Sequence, residues 1–380
     1  MRSIILLPIA LTALVGMSLP ACSGSNSQSG FNGSSGSSGG GSGSGGGSGG
    51  GSGSSSGGIT NGDGGLLTGD GSSTQPWDAE AGITVHTTVY AHTDDTLYSV
   101  DPMTNAVTLV GTFVGTSDAS TDSAVTDLAV DGKGDVYVNT ESVVYKCGLP
   151  ATGGTVQLTK VATIGSTNKF YALAFAPAGA LDPSNETLVG GDSTGSLYAI
   201  SPTGTVTNLG NFGKDPTATA TNNIFELSGD VVFYNDASNK PTGMATIRSC
   251  PCTSAGVCSK CGNDFLAGVN MTALKTAYTS GTPATTLLGG IYGGSGNALG
   301  NGTGYHDVFG LGAWNSTVFG FTRHYGTTTP TVPMLITIDT TSGAGTMVSN
   351  AFSFTNGWSG AGVTTKVTIT VPPPPPPPAQ

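Results

Sequence analysis

After Trp77 the chain falls into short runs in which apolar and polar positions alternate, rich in Val, Thr, Tyr and Phe and cut by Gly, Asp, Asn and Pro. Alternation with a period of two predicts half-buried β-strands, and the cuts predict tight turns. The pattern is clearest at residues 97–113, LYSVDPMTNAVTLVGTF. This reads as a strand over 97–100, a turn at Asp101-Pro102 and a second strand over 107–111. Pro102 presets φ for the first corner, and Asp101 and Asn105 tolerate the rest of the turn. The pair recurs as LYAISPTGTVTNLGNF at 197–212. A repeated strand pair predicts stacked units, because one pair cannot bury its apolar face alone.

The closing strand of each unit is the most recognisable: VTLVGTF ending at Phe113, LTKVATI at Ile164, VTNLGNF at Phe212, TTLLGGI at Ile291 and GTMVSNAF at Phe352. Four-stranded units with variable loops fit these positions. The second unit reads VTDLAV, a DGKG turn, DVYVNT, VVYKC and QLTKVATI. The third reads YALAFAP, ETLVGGD, SLYAISP and TVTNLGNF; the fifth reads VFGLGAW, TVFGFTR, MLITID and GTMVSNAF. The first unit starts at its second strand, TVYAHT, and lacks an inner one. WSGAGVTTKVTITV at 358–371 is a strand-like segment of the right length to supply it. Pairing the two chain ends in one sheet would remove open edges.

LAVDGKGDVYVN at 128–139 resembles the inner hairpin of NHL-repeat β-propellers, and the 97–111 and 197–210 pairs resemble the outer strands of quinoprotein-like propellers. The resemblance covers most of 85–370 and implies a fold without implying any functional residue. The expected architecture is an all-β propeller of five four-stranded blades, closed by pairing of the N- and C-terminal strands. A sixth blade inside the long fourth unit, or a flat β-sandwich, are the alternatives.

Outside 75–371 the composition changes. Met1-Arg2 and the apolar run 4–15 form a short leader, ending in Leu19-Pro20-Ala21-Cys22, which resembles the lipobox of bacterial lipoproteins. That resemblance implies a signal peptide over 1–21 and acylation of Cys22. Acyl chains would hold the protein at the membrane through buried methylenes. No Asp follows the cysteine, so the family's inner-membrane retention signal is missing and an outer-membrane anchor, periplasmic or surface-exposed, is expected. Residues 22–74 are almost wholly Gly and Ser, too polar to offset their ordering entropy, and read as a disordered tether. Pro372–Pro378 opens a stiff 372–380 tail. A net charge of −11 with no Lys/Arg cluster disfavours nucleic acid as a partner.

Candidate chemistry is sparse. Cys250, Cys252, Cys258 and Cys261 form C-x-C-x5-C-x2-C. Four thiolates so close together suit either a tetrahedral zinc or two local disulfides, and an exported, oxidising location favours disulfides. Cys147, on a strand, reads as a buried free thiol. Asp127 and Glu226 occupy matching places in TDLAV and FELSG, and His306-Asp307 precedes another inner strand. These four are the candidate channel-mouth group for a ligand or a structural calcium; no other cofactor is implied. Asp118 and Asp122 lie in a nearby loop. His86, His92 and His324 are scattered, and Ser295 in YGGSGNA lacks a nucleophile elbow, so no catalytic residue is assigned. The expected role is a non-catalytic, lipid-anchored envelope module that binds an unknown protein or glycan. The rivals are a polysaccharide-active enzyme using channel carboxylates and a purely structural envelope protein.

Overall fold

The computed structural model describes residues 88–115, 124–151, 153–165, 169–215, 224–236, 238–250, 262–292, 302–314, 317–323, 332–352, 354 and 357–366. The chain divides into two units, Met1–Val85 and His86–Gln380, and every described residue belongs to the second. Cys22, the Gly/Ser stretch and the polyproline tail lie outside the described residues.

The described chain is all-β apart from one helix. β1 (Val89–His92), β2 (Thr96–Val100) and β3 (Val107–Val114) form the first antiparallel meander. β4 (Asp127–Val130), β5 (Val136–Asn139), β6 (Val143–Gly148) and β7 (Thr155–Thr163) form the next. Then come β8 (Phe170–Ala176), β9 (Thr187–Asp192), β10 (Ser196–Ile200) and β11 (Val206–Asn211). β12 (Ile224–Asn235), β13 (Pro241–Cys250), β14 (Phe265–Val269) and β15 (Leu288–Ile291) follow, with α1 (Met271–Ser280) between the last two. β16 (Val308–Trp314), β17 (Thr317–Thr322), β18 (Met334–Ile338) and β19 (Gly345–Ser349) complete the series before β20 (Gly360–Val363).

β20 returns to pair antiparallel with β1, setting Val363 opposite Val89 and Gly360 opposite His92. It thus leads the first meander, as the 358–371 pattern predicts, with strand at 360–363 among the described residues. The leading strands touch in cyclic order: β20 packs on β4, β4 on β8, β8 on β12, β12 on β16, and β16 on β20. The outer strands are laced as well. β3 pairs in parallel with β7, merging the first two meanders into one eight-stranded sheet, and Gly210 of β11 bridges Ala284.

Burial falls from the leading to the outer strands, and the sequence explains why. β4 (DLAV) and β20 (GAGV) are buried at every position, as strands covered on both faces must be. β7 exposes most of its alternate residues, matching its polar–apolar alternation. The leading strands also approach backbone to backbone. A Cβ on Gly229 would come inside 3.0 Å of the Phe309 backbone, so β12 meets β16 only because residue 229 has no side chain.

The closure is sealed by aromatics. Trp358, fully buried, sits edge-on to Tyr98, Phe321, Phe352 and Phe354, at centroid distances of 5.4, 5.3, 5.2 and 4.6 Å. Such contacts add to what area burial alone provides. Elsewhere part of the fourth unit's extra length is taken up by α1. α1 departs from the all-β expectation. Asn270 caps its first turn by accepting from the Ala273 amide, and Gly281 ends it in the left-handed region. The sequence reading assigns no helix to this stretch.

Candidate functional site

The leading strands all start at one end of the ring, and the second strand of each meander finishes there. Several buried polar groups converge at this end. Asp127 opens β4 and is fully buried; its Oδ2 accepts from the Leu173 amide of β8 at 2.6 Å. Asp230 in β12, equally buried, accepts from the Leu311 amide of β16 and from the Val231 amide, both at 2.6 Å. Each carboxylate thus ties one leading strand to its neighbour in the ring. The two carboxyls also face each other within hydrogen-bonding reach. Burial raises both pKa values well above the usual carboxylate range, and Asp127 is raised further by Asp230.

His92 ends β1 with its Nδ1 bonded to the Thr93 carbonyl at 2.6 Å. That bond makes Nδ1 the proton-bearing nitrogen and leaves Nε2 as a bare acceptor. Nε2 and Asp127 Oδ1 are both buried without a hydrogen-bond partner among the described residues. Both lie against the same α-carbon, since a Cβ on Gly360 would come inside 3.0 Å of each. Burial lowers the His92 pKa to about 4. A third buried carboxyl, Asp264, accepts from Ser228 Oγ and the Val308 amide, each at 2.6 Å, and burial pushes its pKa to about 6.

Partly exposed groups ring the same end. Arg248 lies between Glu226 at 3.7 Å and Asp307 at 3.4 Å. Burial raises the Glu226 pKa, and Arg248 opposes that. Arg323 grips Asp94 with two nitrogens at 2.7 and 2.9 Å, and Ser359 Oγ donates to the same carboxylate at 2.6 Å. Glu141 accepts from Tyr171 and pairs with Lys169.

The four candidate channel-mouth residues do not meet at one point. Asp127 is buried in the ring, Glu226 and Asp307 share Arg248, and His306 is exposed. Among the described residues no group of three or more His, Cys, Asp or Glu side chains is placed to hold a metal ion. The counterpart of Asp127 is Asp230, four residues beyond Glu226. β12 carries a register shift between Leu227 and Val231, which resets the alternation before Asp230. The glycine in SGD was the only sequence signal for that bulge.

Along the ring axis the space is filled by Leu128, Leu173, Val231, Phe233, Leu311 and Val363, leaving a cavity of about 10 Å³. That is room for about one water. Cys147 in β6 is a buried free thiol whose pKa burial pushes up to about 12. Cys250 ends β13, buried and disulfide-bonded. Cys252, Cys258 and Cys261 lie outside the described residues, as do His86, His324, Asp118, Asp122 and Ser295. Among the described residues no helix is long and apolar enough to cross a membrane.

No protein-family model matches the chain, and no curated protein matches it. Among solved structures it is similar to one described as "The de novo evolutionary emergence of a symmetrical protein is shaped by folding constraints", at 15% identity and a TM-score of 0.34, over 72% of this chain and 93% of that one. It is similar to a protein of unknown function from Bacteroides caccae at 8% identity and a TM-score of 0.36, over 73% of this chain and 98% of that one. A third, of unknown function from Bacteroides thetaiotaomicron, matches at 15% identity and a TM-score of 0.30, over 70% of this chain and 55% of that one. Likenesses this distant assign no function.

Proposed function

We propose that this chain is an exported five-bladed β-propeller, anchored through acylated Cys22 at the outer membrane, which acts as a non-catalytic binding module in the cell envelope. The observation that carries the fold is the cyclic contact of β20, β4, β8, β12 and β16, each leading a four-stranded meander. Resemblance of 19–22 to a lipobox supports the anchor, and the Gly/Ser composition of 22–74 supports a tether reaching roughly 40 Å. The binding surface is the ring end carrying Arg248, Glu226, Asp307 and His306, with Tyr171 and Lys169 nearby. A ligand docks on that surface, because the axis beneath it holds about one water. Two disulfides among Cys250, Cys252, Cys258 and Cys261 belong to the same reading, since export exposes them to an oxidising compartment.

The polysaccharide-active rival needs carboxylates that a substrate can reach. Asp127 and Asp230 are fully buried and bonded to neighbouring strands, which speaks against it. The apolar filling of the axis favours the structural rival as much as it favours surface binding. A panel of envelope polysaccharides and peptides offered to the purified full chain separates the three. The expected result is saturable binding, weakened by Arg248→Ala, with no release of reducing ends. Cleavage would overturn the reading in favour of the enzyme; no binding at all would leave the structural role.

A further inference from the structure

At the start of β20 two buried ionisable groups meet the strand that closes the ring. Gly360 rests with its α-carbon against both Asp127 Oδ1 and His92 Nε2, and Gly362 packs against Leu128 of β4. Behind Asp127 stands the Asp230 carboxyl. We propose that Asp127, Asp230 and His92 form a one-proton latch, in which a proton on Asp127 keeps β20 seated and its loss releases that strand.

The hydrogen-bond inventory decides who holds the proton. Both oxygens of Asp230 already accept backbone amides, from Val231 and Leu311, so a proton there would displace one of them. Asp127 has Oδ2 occupied by the Leu173 amide; its own-strand neighbour, the Leu128 amide, lies beside the carboxyl, but Oδ1 makes no hydrogen bond of full geometry. A proton on Asp127 can therefore be given to Asp230 without breaking any strand-to-strand bond. His92 Nε2, which lies against the same glycine as Oδ1, is a second acceptor, because its Nδ1–H is committed to Thr93. The charged groups facing this cluster are few. Asp127 meets Asp230; His92 meets Asp94 and Arg323, which hold each other. Among the described residues no cation sits against either carboxyl to absorb a second negative charge.

When the Asp127 proton leaves for solvent, two like charges face each other at fully buried positions. Their repulsion and lost hydration act directly beneath Gly360. The sign follows from a folded-state pKa raised above the unfolded value. The stability that the protonated pair contributes is complete in acid and is lost as pH rises through the raised pKa. The latch is therefore closed at low pH and loosened at high pH.

The test compares the full chain with two single substitutions. Asp127→Asn keeps an oxygen for the Leu173 amide and an N–H for Asp230, yet cannot ionise. Its melting temperature is expected to fall less than that of the wild type as pH rises above the usual carboxylate range. Asp230→Asn puts an N–H against a backbone amide and is expected to melt lower throughout. Parallel wild-type and Asp127→Asn profiles would overturn the latch. Should the variant not fold, carboxyl ¹³C titration of the wild type decides alone. One aspartate of the pair titrating well above the usual range supports the latch, and both titrating within it sinks the idea. Amide exchange locates the opening, with β20 expected to lose protection at high pH before β10 does; simultaneous loss would count against a local release.

Discussion

Gly360 has no side chain because there is no room for one. A Cβ there would collide with Asp127 and His92 together, and neither can withdraw, since each is fixed by a backbone bond of its own. Gly360→Ala is therefore expected to destabilise the fold by about 3 kcal/mol or more, as an overpacked site that cannot relax. Denaturant unfolding would measure it, and a loss below about 1 kcal/mol would mean that β20 shifts freely. At this scale the sequence was half legible. Asp127 stood out because TDLAV is a regular strand start. Asp230 did not, because the β12 bulge intervenes and a period-two reading runs through it to Glu226. The unpartnered Nε2 of His92 was invisible too, since nothing local distinguishes a histidine that will be buried opposite a carboxylate from one left in a loop.

Among the elements, β20 matters most for its length, with four residues completing the ring. It brings with it Trp358, seated in four aromatic rings from three different segments, and Thr365, whose hydroxyl meets Glu186. Glu186 also accepts from the Gly132 amide, so the chain after β20 is tied on both sides. Deleting 358–371 is expected to abolish cooperative unfolding or cause aggregation, because β1 and β4 lose their neighbour and expose backbone edges. Removing only 372–380 is expected to leave the melting temperature within about 2 °C of wild type. Circular dichroism melts of both truncations would check this, and a cooperative, unshifted transition in the longer deletion would contradict the role given to β20. The strand order within meanders was readable because hairpins follow from local turn chemistry: Asp101 accepts from the amides of Met103 and Thr104, and Asp131 from those of Lys133 and Asp135. The parallel pairing of β3 with β7 was not readable, since it joins residues that no turn connects.

For the molecule as a whole, the proposed anchor at Cys22 and the folded strands belong to separate parts of the chain, so the proposal predicts that anchoring and folding separate in experiment. Cys22→Ser is expected to remove acylation and shift the protein from the membrane to the soluble fraction, with the melting temperature unchanged. Labelling with a fatty acid and fractionation would test it; a variant that stays with membranes would reveal some other anchor. The alternation of apolar and polar residues, the turn residues and the low-complexity ends by themselves determined a chain of short strands in repeated meanders, and the strand that returns to pair with the first. These are properties of neighbours in sequence, set by backbone geometry and by which side chains prefer water. Tertiary structure alone decided which carboxylates meet, which atoms are left without partners and how tightly the axis is filled. Those outcomes depend on distances between strands that lie tens to hundreds of residues apart, as Leu173 and Asp127, Leu311 and Asp230, and Gly360 and His92 all do. A side chain's burial, and with it its protonation, follows from what the ring places against it.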